Sequence, residues 1–469
     1  MQYLVYAVIL ASTFASYLVE LHVAPTPVKF LPEVLSLVAT VCVLALGARE
    51  RFRLVGAHYW LVFAAAGGVI VAGVLANAVA PGTFIGGLRY CVRALPLFLL
   101  PAVWDFREDQ VSSQLRLILG IALLQLPISL YQRHLVTERG HWSGDSVFGT
   151  LMISSAMSIF LICIVCVAAG LAVRQRMSKL AFLLVFAALV VPTTINETKS
   201  TVLFLPIGLV ATLMMGAPAG RRLRVGGSAI ALFALFAAVY IPVYDYYASL
   251  NNPYPYTVEQ FFSNRSTVQD YVDQQTDLGS RREAGRWDAL EVPLETFASD
   301  PVRLMFGVGL GNGSPSALGQ SFTGQYYVLF GRYTIETSAA AFIVEMGVLG
   351  LALALALYLL ILRDSVAVAR RDQSLVGALA VGWIGVTLVM VCATFYKAVH
   401  LFESLTYLYS YLSGLIAAQR MRLALAAQAR PAPAARLQPA ARSPVAAPRA
   451  RNGGFSGARP VSTDSDRAR

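Results

Sequence analysis

Charge is what this sequence has least of. Only 13% of its 469 residues are Asp, Glu, Lys or Arg, while 57% are hydrophobic. A water-soluble domain cannot hide that much apolar surface, so the soluble enzyme classes are excluded. Cysteine is also scarce. The five thiols, Cys42, Cys91, Cys163, Cys166 and Cys392, all fall inside apolar runs. Cys163 and Cys166 form a CxxC with no second pair, so neither a disulfide framework nor a zinc site is implied, and all five read as small buried hydrophobes. The N-terminus lacks a basic leader and an A-x-A cleavage site, and residues 3–21 read as a first membrane span. No internal repeat is visible, which removes the usual support for an inverted-repeat transporter.

What is present is a succession of long apolar runs. They cover about 3–21, 30–47, 58–79, 84–104, 115–131, 147–173, 180–195, 201–216, 225–243, 338–362, 374–393 and 401–418, predicting an all-α polytopic membrane protein of about 12 transmembrane helices. Basic residues fall in the even connections: Arg49, Arg51 and Arg53; Arg107; Arg174, Arg176 and Lys179; Arg221, Arg222 and Arg224; Arg363, Arg370 and Arg371. The odd connections are poor in them. That side is cytoplasmic, and both termini are placed inside. The net charge of +11 does not indicate nucleic acid. From Gln419 onward ten Arg face two Asp, which accounts for eight of the eleven positive charges.

Four segments follow: spans one to nine over 1–243, a large polar outer loop over 244–337, spans ten to twelve over 338–418, and a basic cytoplasmic tail over 419–469. The Ala-, Pro- and Arg-rich tail is expected to be disordered and to touch anionic lipid headgroups. The outer loop is too long to be a plain connection. Within it, Trp287, Leu290, Val292 and Leu294 could line an amphipathic helix. Gly307, Gly309, Gly311 and Gly313 are spaced by two, but no strand–helix unit surrounds them, so they are not a dinucleotide fingerprint.

Candidate chemistry gathers where helices meet the outer surface. Arg89 and Arg93, in "GGLRYCVRALP", share a helical face on the side where positive charge is disfavoured, and two such guanidinium groups call for an anion. In "INETKSTVLFLP", Lys199 opens a helix beside two hydroxyls, a reasonable phosphate cradle. Arg281, Arg282 and Arg286 cluster in the large loop. Arg332 and Glu336, in "GRYTIETSAAAFIVEMGVLG", are four apart and read as an ion pair, or as a carboxylate base beside a cation that holds an anionic substrate. His400 and Glu403, with Lys397, could line an acceptor path. His134, His141 and Asp145 read as a solvated outer loop.

In these residues the chain resembles the O-antigen polymerase and O-antigen ligase superfamily of bacterial membrane glycosyltransferases, over about residues 85–420. The resemblance rests on Arg286 and Trp287, then Pro301, Gly307, Gly309 and Gly311, then Glu345, Gly347 and Gly350, with Thr198, Lys199 and Ser200 matching the family's basic step after a short outer loop. Two positions depart from the pattern. Glu336 and Thr337 stand where the ligases carry His-Asn, and Lys199 stands for the usual Arg. The resemblance implies a GT-C-like fold in the bacterial inner membrane and metal-independent transfer of glycan from undecaprenyl diphosphate to a lipid-linked acceptor sugar at the periplasmic face. A flippase and a chain-length regulator are candidate partners. Glu336 and Arg332 are then the expected catalytic residues, and Arg89, Arg93, Lys199, Arg282 and Arg286 the expected diphosphate ligands. Arg286 and the Gly-rich loop would shape a lid. A polysaccharide repeat-unit polymerase is the leading expectation. The alternatives are a ligase acting on a lipid or protein acceptor, a transporter, and a non-catalytic scaffold.

Overall fold

The computed structural model describes residues 1–50, 52–136, 146–251, 277–278, 281–282 and 285–429. In chain order the α-helices are α1 Gln2–Glu20, α2 Leu31–Glu50, α3 Ala57–Ala76, α4 Pro81–Val92, α5 Leu95–Val103, α6 Glu108–Tyr131, α7 Ser154–Val173, α8 Lys179–Ile195, α9 Thr201–Gly216, α10 Arg222–Asn251, α11 Asp288–Phe297, α12 Pro301–Phe306, α13 Tyr327–Thr334, α14 Ser338–Arg371, α15 Leu375–Tyr396 and α16 Glu403–Ala429. Among the described residues the only strand pairing is a two-residue ribbon, Asp277–Leu278 (β1) against Arg281–Arg282 (β2). The fold is all-helical.

Each of the twelve apolar runs coincides with a helix or a bent helix pair. Among the described residues eight helices, α1, α2, α3, α6, α7, α10, α14 and α15, are long and apolar enough to cross a membrane. The pair α4 and α5 becomes a ninth only if its 46° bend is counted within one span. Pro96, in the first turn of α5, cannot supply the N–H that would continue α4. The helices α8 and α9, of 17 and 16 residues, are shorter than a perpendicular crossing of about 20 residues requires. Two boundaries differ from expectation. Helix α10 runs on to Asn251, beyond the expected start of the outer loop. Helix α16 continues through Ala429, because "QRMRLALAAQA" is built from strong helix formers and meets no proline before Pro431. The rest of the expected tail, 430–469, lies outside the described residues.

The core is organised around α7 and α15, the two most buried spans. Apolar side chains gain nothing from leaving lipid, so close backbone packing carries such a core. A Cβ on Gly170 of α7 would sit 2.4 Å from the backbone nitrogen of Gly382 on α15, so only glycine allows these helices to touch. Trp383 is fully buried beside them and donates through Nε1 to Ser413 Oγ on α16 at 2.9 Å. Cys163 and Cys166 are buried in α7 as free thiols.

The segment after the undescribed stretch packs back onto the bundle. Helix α11 buries Ala289, Pro293 and Phe297, while Trp287 just before it is exposed, so the predicted apolar face is rotated. The Gly-rich run does not form a surface turn. Residues 307–313 are buried, with φ of 71°, 91° and 80° at Gly307, Gly309 and Gly311. They thread between α3, α4 and α14, where a Cβ on Gly87 of α4 would lie 2.3 Å from the nitrogen of Gly311. Helix α14 is broken at Gly347, φ 68° and ψ −170°. Near the break, the Val308 N–H bonds to the Val344 carbonyl at 2.7 Å.

Toward the other end of α14, Asp364 is buried and accepts from Tyr59 at 3.0 Å, with Arg420 as its ion-pair partner. The basic connections holding Arg174, Arg176, Arg363, Arg370 and Arg371 gather at this end. The candidate chemistry lies at the opposite one.

Candidate functional site

The mouth of α14 is fixed by Thr337, whose Oγ1 accepts the Ala340 N–H at 3.1 Å and so caps the helix. Glu336 stands one residue before this cap and is buried. Its partner is Lys397, the residue that ends α15, whose Nζ donates to Glu336 Oε2 at 3.1 Å. Ser338 ties the same two elements together, with its N–H on the Lys397 carbonyl at 3.1 Å.

From Ser338 the polar contacts continue. Its Oγ accepts the His400 N–H at 3.1 Å and lies 2.9 Å from His400 Nδ1. Burial, with the Arg93 guanidinium nearby, pushes the His400 imidazole down to about 3, so it is neutral at physiological pH. The His400 carbonyl accepts from Arg93 Nη2 at 2.9 Å, and Arg93 Nη1 donates to Glu403 Oε1 at 2.9 Å. Glu33, on α2, sits 3.9 Å from Arg93 and takes Arg89 Nε at 2.5 Å. Arg93 is almost fully buried. Two guanidinium groups are thus balanced by two carboxylates. Arg89 Nη1 and Arg93 Nε remain buried with no hydrogen-bond partner among the described residues.

The other expected residues are distributed unevenly. Arg286 lies over the Tyr396 ring, 4.4 Å from its centroid, and donates to the Tyr396 carbonyl at 3.2 Å. Lys199 sits just before α9, and Phe204 one turn into that helix packs edge-on against Tyr396 at 5.3 Å. Arg286 and the first turn of α9 are therefore drawn toward the residue that precedes Lys397. Nearby, Arg133 donates to Glu197 Oε1 at 2.8 Å. Arg282 lies in β2, in register with Asp277.

Arg332 is not paired with Glu336. It is exposed and lies over the ring of its neighbour Tyr333, 4.6 Å from the centroid. The expectation of a shared helical face fails because α13 ends at Thr334 and α14 begins at Ser338. A spacing of four brings side chains together only on continuous helix. The anions expected for Arg89 and Arg93 are supplied by the protein itself. Glu33 was missed by sequence reasoning, although a lone carboxylate at the start of a span is a visible signal. His141 and Asp145 lie outside the described residues, and His134 Nε2 lies 3.5 Å from the Tyr247 hydroxyl. Among the described residues no three His, Cys, Asp or Glu side chains gather as a metal-ligand set.

The arrangement offers a buried carboxylate that can take a proton, an ammonium beside it, and guanidinium donors two hydrogen-bonded residues away. Compared with protein-family models and with curated proteins, the chain matches none.

Proposed function

We propose that this chain is a membrane glycosyltransferase of the repeat-unit polymerase kind, moving a glycan from undecaprenyl diphosphate to a lipid-linked acceptor sugar at the periplasmic face of the inner membrane. The observation that carries the reading is Glu336, a buried carboxylate held by Lys397 at the mouth of α14. The acceptor hydroxyl attacks the anomeric carbon, the bond to the diphosphate oxygen breaks, and the lipid diphosphate leaves with its electron pair. Glu336 orients that hydroxyl and takes its proton once the carboxylate is released from Lys397. The freed ammonium then faces the negative charge developing on the leaving group. Arg286 over Tyr396, Lys199 just before α9, and the uncommitted Nη1 of Arg89 and Nε of Arg93 are further donors to that charge. Arg332 has no part in this scheme beyond the rim, since it faces Tyr333. The Gly-rich run is packing material between helices, not a lid.

The broken helix α14 invites comparison with a transporter, in which freed backbone carbonyls coordinate the transported ion. The Val344 carbonyl is occupied by Val308 N–H, which favours packing over transport as the use of the break. The test is elongation in cells whose chromosomal copy is replaced by Glu336→Gln. Loss of long polysaccharide with unchanged protein level is expected. An unaltered length distribution would remove Glu336 from the chemistry.

A further inference from the structure

We propose that the end of the bundle opposite the Glu336 site carries a binding cleft for one anionic phospholipid, with its phosphate on Arg116 and Arg176 and an acyl chain between α6 and α7. The cleft measures about 230 Å³. Leu115, Leu119, Ile164 and Leu171 supply apolar walls, and Arg116 and Arg176 are the charged residues lining it. A space with greasy walls and two guanidinium groups matches a molecule that is apolar along its length and anionic at one end.

The two arginines stand differently. Arg176 is anchored, with Nη1 3.4 Å from Glu108 and Nη2 donating to the Gln373 carbonyl at 3.0 Å. Arg116 is exposed and has no hydrogen bond or ion pair with any described residue. It lies eight residues into α6, past polar first turns and at the edge of the apolar run 115–131. A guanidinium at that edge, beside an apolar cleft, is placed to take an anion from the headgroup layer. Neither Glu108, committed to Arg176 and to the Leu375 N–H at 3.3 Å, nor any other described carboxylate supplies it. A lipid phosphate reaching the bundle from the side of the bilayer does. Basic pockets between membrane helices on the cytoplasmic side are suited to anionic headgroups in this way. The occupant is an intact lipid and not a free phosphate, because most of the lining is apolar.

The experiment is native mass spectrometry of the full-length protein in detergent, titrated with phosphatidylglycerol or phosphatidylcholine, using the wild type and the variants Arg116→Gln, Leu119→Trp and Arg224→Gln. One retained phosphatidylglycerol per chain is expected, with phosphatidylcholine bound more weakly. Arg116→Gln should lower the retention roughly fivefold, the worth of one basic side chain near a charged headgroup. Leu119→Trp, which fills the cleft while leaving both charges in place, should lower it as well. Arg224→Gln, exposed at the start of α10, should not. The basic tail is intact in every variant, so retention that survives both cleft substitutions places the lipid elsewhere and overturns the proposal. Equal retention of the two lipids overturns the phosphate site, and displacement by water-soluble glycerol phosphate overturns the acyl half.

Discussion

Lys397 donates to Glu336 across 3.1 Å, joining the end of α15 to the mouth of α14 over 61 residues of sequence. Lys397 is partly exposed and Glu336 nearly buried, so the pair contributes modestly to stability, at most about 1 kcal/mol. Its larger effect is to hold a carboxylate in one place. Glu336→Gln should therefore leave the melting temperature within a few degrees of wild type while abolishing elongation, and Lys397→Met should reduce elongation in its own right. The double variant should be no less active than Glu336→Gln alone, since both changes act on one unit. Polymer length on gels, with melting curves of the purified proteins, checks all three.

Arg93 requires a different expectation from Lys199. It is buried between Glu403 and Glu33 and also bonds the His400 carbonyl. Arg93→Ala would leave these carboxylates without their shared cation, a change that costs about 3–5 kcal/mol. Loss of activity in that variant would report unfolding as much as lost substrate contact. Lys199 is only partly buried, so Lys199→Ala should lower activity at normal protein yield. The comparison is read from detergent-solubilised yield and melting temperature, measured beside elongation.

The difference between these residues explains what could be read in advance. Hydropathy is local, so each of the twelve apolar runs announces a helix or, at 84–104, a bent pair, and Thr337 as a helix cap lies in the same short window as α14. Partnerships are not local. Glu33 meets Arg89 across 56 residues, and Glu403 meets Arg93 across 310. Counting four residues from Arg332 to Glu336 assumed a helix that stops at Thr334. Gly307, Gly309 and Gly311 read as a loop that shapes a lid, because glycine permits both a loose turn and a close approach. Only the neighbouring backbones of α3, α4 and α14 decide between them.

His400 gives a pH signature. Its folded-state value, near 3, lies below the ordinary 6.5. In that window the unfolded chain binds more protons than the folded one, so stability rises with pH. The contribution is fully present above about pH 6.5 and is lost as pH falls toward 3, with a slope of at most about 1.4 kcal/mol per unit. Carboxylates titrate in the same range, so the informative quantity is the difference between wild type and His400→Gln. The variant should melt with a shallower dependence between pH 6.5 and 4. Parallel curves would mean that the imidazole is charged in the folded protein.

Gly347 is the position where a single methyl group should cost most. Its φ of 68° lies in the region that side chains avoid, and a Cβ there would sit 2.2 Å from the Met305 carbonyl carbon and oxygen. Those atoms belong to backbone fixed by α12, which packs against the break in α14, so they cannot swing aside as a side-chain tip would. Gly347→Ala should destabilise the protein by about 3 kcal/mol or more, combining backbone strain with the clash. If α14 straightened to escape, the hydrogen bond from Val308 N–H to the Val344 carbonyl and the seat of the Gly-rich run would be lost with it. Gly67, within α3, is the matching control, because a Cβ there meets nothing within 4 Å. Gly67→Ala should be neutral or stabilising by up to about 1 kcal/mol through helix propensity. Melting of the two variants by intrinsic fluorescence separates these outcomes, and equal melting temperatures would show that the α14 break is not held by the backbone at 305–308.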